Sequence, residues 1–247
     1  IKYFNQDNSG PGSARNIGLE NSVGTLICFI DSDCEAHENW LSNIVSEYKR
    51  NGFDACGGPD GAKKDFSALQ KAINYSMTSF FTTGGMRGHS ANMIAKFFPR
   101  THNMCITRSM YENIGGFGNL RHGQDIEFSN RIRKAGGKIS FIENALVYHR
   151  RRSSIKQFSK QVFNWGVARV NLGKIDNNML ELIHFLPTFS LFLVFGILTF
   201  TFYSGWNYFI VLSVLMIPLL LLSSIGSIKT KNYKVFLLLM IIIPIQI

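Results

Sequence analysis

The sequence predicts an α/β domain with a mostly parallel sheet, followed by transmembrane α-helices. Three observations predict it. Strand-like and helix-like patterns alternate through the first part of the chain. All 16 acidic residues lie at or before Glu181, and beyond it only Lys229, Lys231 and Lys234 carry charge. The segment after Glu181 consists of long uncharged runs. This uneven charge excludes a simple soluble domain. A chain of 247 residues that is 46% hydrophobic and 13% aromatic can bury a large core, which excludes disorder.

The elements follow in order. Residues 23–30 are apolar and β-rich and end at Asp31-Ser32-Asp33. Residues 39–50 have helical spacing through Trp40, Leu41, Ile44, Val45 and Tyr48. Residues 53–57 read as a short strand ending in Gly57-Gly58-Pro59-Asp60-Gly61. Residues 67–81 read as helix, 103–107 as strand, 108–114 as a short helix, 124–135 as helix and 138–142 as strand. In such sheets ligands sit at the carboxyl ends of strands, where Asp31 and Asp33 fall.

Residues 183–203 carry no Asp, Glu, Lys or Arg. At ~1.5 Å per residue they reach about 31 Å, enough to cross a bilayer core. Residues 206–228 are a second uncharged run, and 235–247 begin a third that is cut off. The loop Ser204-Gly205 has no basic residue, whereas Lys229, Lys231 and Lys234 follow the second run. Residues 150–174 hold seven basic groups and no acid. The positive-inside rule therefore puts residues 1–182 in the cytoplasm, as part of a multi-pass protein of the cell membrane. Tyr203, Trp206 and Tyr208 then make an aromatic belt on the far side. Within residues 150–182, Phe158, Val162, Trp165 and Arg169 recur at helical spacing, which predicts a basic amphipathic helix lying on anionic lipid. The net charge of +10 also invites a nucleic-acid reading. The aromatics, however, precede a membrane span rather than interleave with a soluble basic patch, so no nucleic-acid partner is expected.

The chain begins at Ile1 and ends within an apolar run at Pro244-Ile245-Gln246-Ile247, so it is expected to be an internal fragment of a longer protein. Cys28, Cys34, Cys56 and Cys105 form no CxxC pair and are expected to be reduced, partly buried thiols.

Three constellations carry chemistry. Asp31-Ser32-Asp33 places two carboxylates on one side of an extended chain, where they can hold a divalent cation. A solvated turn with a capping aspartate is the plainer alternative. Gly123-Gln124-Asp125-Ile126-Glu127 puts a carboxylate at a helix start after Gly115-Gly116-Phe117-Gly118, as a general base or as a helix cap. Val147-Tyr148-His149 ends a strand in a histidine that is either structural or a metal ligand.

The run from Gly12-Ser13-Ala14-Arg15-Asn16 through Asp31-Ser32-Asp33 resembles the core of family 2 glycosyltransferases with the GT-A fold. The later run from Asn103 through Gly116-Phe117 and Gln124-Asp125 to His149 is similar to the same family, in the same order. The resemblance covers residues 1 to 160 or so, and the apolar tail resembles members that build surface glycans, such as the succinoglycan-type enzymes. It implies a GT-A, Rossmann-like nucleotide-diphospho-sugar transferase domain over residues 1–149 whose first strands are missing. It implies that Asp31, Asp33 and His149 hold Mg²⁺ or Mn²⁺. It further implies that Arg15, Asn16, Asp31, Gly58 and Asp60 bind the nucleotide-sugar donor. Asn103, Gly116, Phe117 and Gln124 would line the acceptor pocket, and Asp125 would be the catalytic base.

The implied activity is an inverting, metal-dependent transfer of a sugar from a nucleotide-sugar to a lipid-linked (polyprenyl) or glycan acceptor, in surface polysaccharide or glycoconjugate synthesis. Alternatives are a polyprenyl-phosphate sugar synthase, a processive polysaccharide synthase, or a decayed transferase serving as a membrane scaffold. Two departures from the family stand out. Gln124 occupies a position that is usually Glu, and Gln161-Val162-Phe163-Asn164-Trp165 has Asn where processive enzymes carry Arg. The second departure speaks for transfer of a single sugar.

Overall fold

The computed structural model describes residues 1–63, 65–83 and 97–247. In chain order the elements are α1 (Pro11–Asn21), β1 (Leu26–Phe29), β2 (Cys34–Ala36), α2 (Trp40–Asn51), β3 (Ala55–Gly57), β4 (Asp60–Gly61), α3 (Ala68–Thr78) and α4 (Phe80–Thr83). There follow β5 (Met104–Thr107), α5 (Arg108–Ile114), α6 (Gln124–Lys134), β6 (Ile139–Phe141) and β7 (Val147–His149). The chain then continues through α7 (Ile155–Ile175), α8 (Leu186–Ser204), α9 (Tyr208–Thr230) and α10 (Lys234–Gln246). It divides into two compact units: Ile1–Lys64 with Thr83–Arg150, and Asp65–Thr82 with Arg151–Ile247.

The first unit is built on a four-stranded sheet in the order β1-β5-β3-β6. Alternation along β5 divides its side chains between two cores. Met104 and Ile106 join Leu19, Ile27, Ala55, Phe117, Phe128 and Ile132 on the face covered by α1, α5 and α6. Cys105 joins Cys56, Trp40, Ile44 and Phe53 on the face covered by α2. Each large apolar side chain buried in this way contributes roughly 1.5–3 kcal/mol. The result is a sheet with helices on both faces, as the alternating pattern predicts.

The expected mostly parallel sheet needs correction. β1, β3 and β6 run in one direction, but β5 lies between β1 and β3 and is antiparallel to both. All four residues of β5 are buried. Hydropathy therefore marks β5 as an interior strand without marking its direction. The reversal matters for the site: the start of β5 lies beside the carboxyl ends of its neighbours, with Met104 opposite Phe29 and Gly57.

A second, three-stranded sheet in the order β2-β7-β4 stands in the same unit. Cys34 pairs with His149, and Asp60 pairs with Val147.

The second unit is helical. α8, extended at its start to Leu182, and α9 are long and apolar enough to cross a membrane, and α10 is a shorter apolar helix. They occupy the runs read from the sequence. Large side chains such as Phe189, Phe192, Phe195 and Phe209 are exposed along α8 and α9. α9 contains Pro218 and α10 contains Pro244.

Two expectations differ here. Residues 65–82 were read with the first domain, yet they group with the second unit. The reason is packing: Ala72, Ile73, Tyr75 and Met77 of α3 share a core with Val235, Leu239 and Ile242 of α10. A capping box at Ser67 and Gln70 starts that helix. The amphipathic helix also presents a different face. Phe158 is fully buried in this same core, with Val162 and Trp165 packed against it, so these residues meet protein rather than lipid. The exposed stripe of α7 instead carries Phe163, Val167 and Val170 between Lys156, Lys160 and Lys174.

Candidate active site

Two polar clusters form at the carboxyl end of the main sheet in the first unit. The first is centred on Arg15 of α1. Its Nη2 donates to Asp31 Oδ1 at 3.0 Å, and its Nη1 donates to Gln124 Oε1 at 3.3 Å. One guanidinium thus joins the turn after β1 to the first residue of α6. Next to it, Asp125 accepts from Arg100 Nη1 at 3.2 Å through Oδ2 and from the Ile126 N–H at 3.0 Å through Oδ1. Asp125 also lies in the first turn of α6, where the helix dipole favours an anion. Glu127 is tied to Arg131 at 2.7 Å and Arg131 in turn to the carbonyls of Ile114 and Gly116, which fixes the loop leading to α6.

The second cluster is centred on His149 at the end of β7. Its Nε2 lies 3.6 Å from Asp33 Oδ2, and its Nδ1 lies 3.8 Å from Asp60 Oδ2. Asp33, Cys34 and His149 offer ligand atoms within 4.8 Å of one another, and so do Asp60, His102 and His149. Asp33 and His149 can therefore hold a divalent ion, a fit that rests on an oxygen and a nitrogen donor already facing each other. Asp31 belongs to neither group and is engaged by Arg15. Burial and the neighbouring Asp33 push the Cys34 thiol up to about 12, so it stays protonated at neutral pH.

Other predicted residues frame these clusters. Asn16 binds the Phe117 backbone on both sides: Phe117 N–H donates to Oδ1 at 2.7 Å and Nδ2 donates to Phe117 O at 3.0 Å. At Gly116 a Cβ would stand 2.3 Å from Asn16 Oδ1 and would displace that side chain. The Phe117 ring is buried, stacked on Phe128 at 4.3 Å, and so belongs to the core. Asn103 is likewise buried. It accepts from Trp40 Nε1 at 2.8 Å and donates to Pro59 O at 3.1 Å and Ala145 O at 2.8 Å. At Gly58 a Cβ would fall 2.1 Å from Ala145 O, so the backbone before Asp60 packs directly on that loop. Asn16, Asn103, Gly58, Gly116 and the Phe117 ring thus hold the scaffold on which Arg15, Asp60 and Asp125 stand.

Sequence reasoning missed Arg100, His102 and Cys34. Arg100 and His102 precede β5, and only the antiparallel insertion of that strand carries them to this end of the sheet. Cys34 adjoins Asp33, but its pairing opposite His149 depends on the small sheet. All four cysteines are free thiols. Cys28, Cys105 and Cys56 stand side by side on adjacent strands. The hydrogen bond to Cys105, together with burial, raises the Cys28 thiol far above its ordinary value.

The sheet with helices on both faces is that of the GT-A fold. Residues 1–115 match the glycosyl transferase family 2 model. It is 29% identical over 187 residues to the glycosyltransferase AglE of Haloferax volcanii, covering 75% of this chain and 57% of AglE. It is 26% identical over 173 residues to the succinoglycan biosynthesis protein ExoM of Rhizobium meliloti, covering 67% of this chain and 54% of ExoM. The chain thus spans about half the length of these curated relatives. Among solved structures it resembles the mannosyltransferase PcManGT of Pyrobaculum calidifontis in complex with GDP-Man and Mn²⁺, with a TM-score of 0.60 and 13% identity. That likeness covers 94% of this chain and 66% of the other, and it establishes the GT-A fold.

Proposed function

We propose that this protein is a membrane-bound, inverting glycosyltransferase that moves a sugar from a nucleotide-sugar donor to a lipid-linked or glycan acceptor on the cytoplasmic side. The observation that carries the reading is Arg15, whose guanidinium joins Asp31 to Gln124 and so sets the Asp-Ser-Asp turn beside Asp125. The carboxylates that this reading gives to the donor and the acceptor would thereby meet at one end of one sheet, where this class of fold binds ligands. The relatives named as a glycosyltransferase and as a succinoglycan biosynthesis protein support the same class of chemistry.

Asp33 and His149 would hold Mg²⁺ or Mn²⁺, and that ion would supply charge neutralisation for the departing diphosphate. Arg15 and Asp31 would recognise the nucleotide. Asp125 accepts the proton of the acceptor hydroxyl as its oxygen bonds to the anomeric carbon. The bond from that carbon to the diphosphate oxygen breaks in the same step, which inverts the configuration. Arg100 keeps the Asp125 carboxylate in place. In the second unit, the exposed Phe163, Val167 and Val170 of α7 with their flanking lysines suit a helix resting on anionic lipid ahead of the spans.

The test uses the whole protein in detergent or nanodiscs. UDP-, GDP- and dTDP-sugars are screened with Mn²⁺ or Mg²⁺, and nucleoside diphosphate release is followed with Asp125→Asn as control. Release with one donor, lost in the variant while donor binding persists, supports the reading. Equal turnover in Asp125→Asn overturns the base assignment. Supplying bare polyprenyl phosphate and polyprenyl-linked glycan in separate arms distinguishes the two kinds of acceptor.

A further inference from the structure

We propose that Asp60, His102 and His149 form a zinc site of their own, inboard of Asp33, which competes with the donor-side ion for His149. The three residues come from three separate segments: β4, the bridged turn before β5, and β7. Their ligand atoms lie within 4.8 Å of one another. Asp60 Oδ2 is 3.7 Å from His102 Nε2 and 3.8 Å from His149 Nδ1. These separations are too long for hydrogen bonds. Two ligands of one tetrahedral zinc ion stand about 3.4 Å apart, so a small inward movement of each side chain seats the ion.

Burial points the same way. The Asp60 side chain is 6% exposed, and His149 Nδ1 is a buried nitrogen with no hydrogen-bond partner. A buried ring nitrogen without a hydrogen-bond partner is costly unless something engages it. The two imidazole rings are held 4.4 Å apart, centroid to centroid. Two imidazoles and one carboxylate suit zinc, whereas Mg²⁺ prefers oxygen ligands and retains water.

His149 is the hinge of this proposal. Its Nδ1 faces Asp60 while its Nε2 faces Asp33. A neutral imidazole has one acceptor nitrogen, so it ligates one ion at a time. Zinc on the inner side therefore removes His149 from the pair with Asp33 and weakens binding of the donor-side ion.

The experiment uses the full chain in detergent, with Zn²⁺ alone as probe, titrated against a chromogenic chelator. The wild-type protein is expected to bind one equivalent. His102→Ala and His102→Gln should each weaken zinc binding by roughly tenfold to a hundredfold. Asp33→Asn should leave it within about twofold. Paramagnetic titration of Mn²⁺ gives a second readout: Zn²⁺ should lower Mn²⁺ affinity in the wild type and fail to do so in His102→Gln. Wild-type zinc affinity in both His102 variants overturns the proposal, and so does a loss in Asp33→Asn as large as theirs. None of these measurements depends on sugar transfer, so their outcome is separate from that of the proposed activity.

Discussion

Asp31 and Asp33 are two residues apart, yet their surroundings are built differently. Asp31 and Asp125 each meet a guanidinium at hydrogen-bonding distance, 3.0 Å from Arg15 and 3.2 Å from Arg100. Asp33 and Asp60 face imidazoles across gaps of 3.6 to 3.8 Å. The arginine side is a closed network whose planar donors fix the carboxylates before any ligand arrives. On the histidine side the ligand atoms of Asp60, His102 and His149 lie within 4.8 Å of one another, and so do those of Asp33, Cys34 and His149. One side is tied by guanidinium hydrogen bonds, and the other sets carboxylates and imidazoles at metal-ligand spacing.

The largest effect is expected where the closed network meets the chemistry. Asp125→Asn should lower turnover by about 10³-fold or more while donor binding stays near wild type, the scale of a lost general base. Arg100→Met leaves the carboxylate but removes its guanidinium partner. It should cost less, about tenfold in kcat, with little change in donor KM. A larger loss in Arg100→Met than in Asp125→Asn would break the division into a base and its holder. Next in size is Asp33→Asn on the histidine side. It should weaken Mn²⁺ binding by roughly 10- to 100-fold, read by equilibrium titration without substrate. Asp31→Asn should weaken it far less, because Asp31 is engaged by Arg15. Equal losses in the two variants would erase the comparison.

The sequence made one part of this molecule legible and hid another for definite reasons. The long apolar helices were readable because charge vanishes after Glu181 except at three lysines, and composition alone marks such runs. Asp31, Asp33, Asp125 and His149 stand out as candidates in the sequence because each sits at an element boundary with recognisable neighbours. The direction of β5 was not, since a wholly buried strand has the same pattern either way. Arg100 and His102 were lost with it. The sequence alone does not identify the buried face of α7, because helical periodicity finds an apolar stripe without naming what covers it. Here the cover is α3 and α10.

The two sides also differ in what holds them up, and smaller changes separate them. Asn103→Ala removes one acceptor and two donated bonds at a position that is 2% exposed. At a net ~1 kcal/mol per bond, about 3 kcal/mol of stability should be lost, read by denaturant unfolding of the first unit's signal. Since Pro59 precedes Asp60, this variant should loosen the histidine side and weaken metal binding in whatever protein remains folded.

Asn16→Ala should act on the arginine side and act more gently. It removes the paired bonds to the Phe117 backbone, at 2.7 and 3.0 Å, in a half-buried place that water partly reaches. The expected loss is about 1–2 kcal/mol. Arg15 lies 5.8 Å above the Phe117 ring, so a loosened loop lets the guanidinium drift from Asp31 and Gln124. Donor KM should then rise a few-fold, about 1 kcal/mol or less at ~1.4 kcal/mol per tenfold change, while kcat and Mn²⁺ affinity hold. A fall in Mn²⁺ affinity with donor KM unchanged would mean that Asn16 supports the histidine side instead, and the two clusters would then have to be treated as one coupled site.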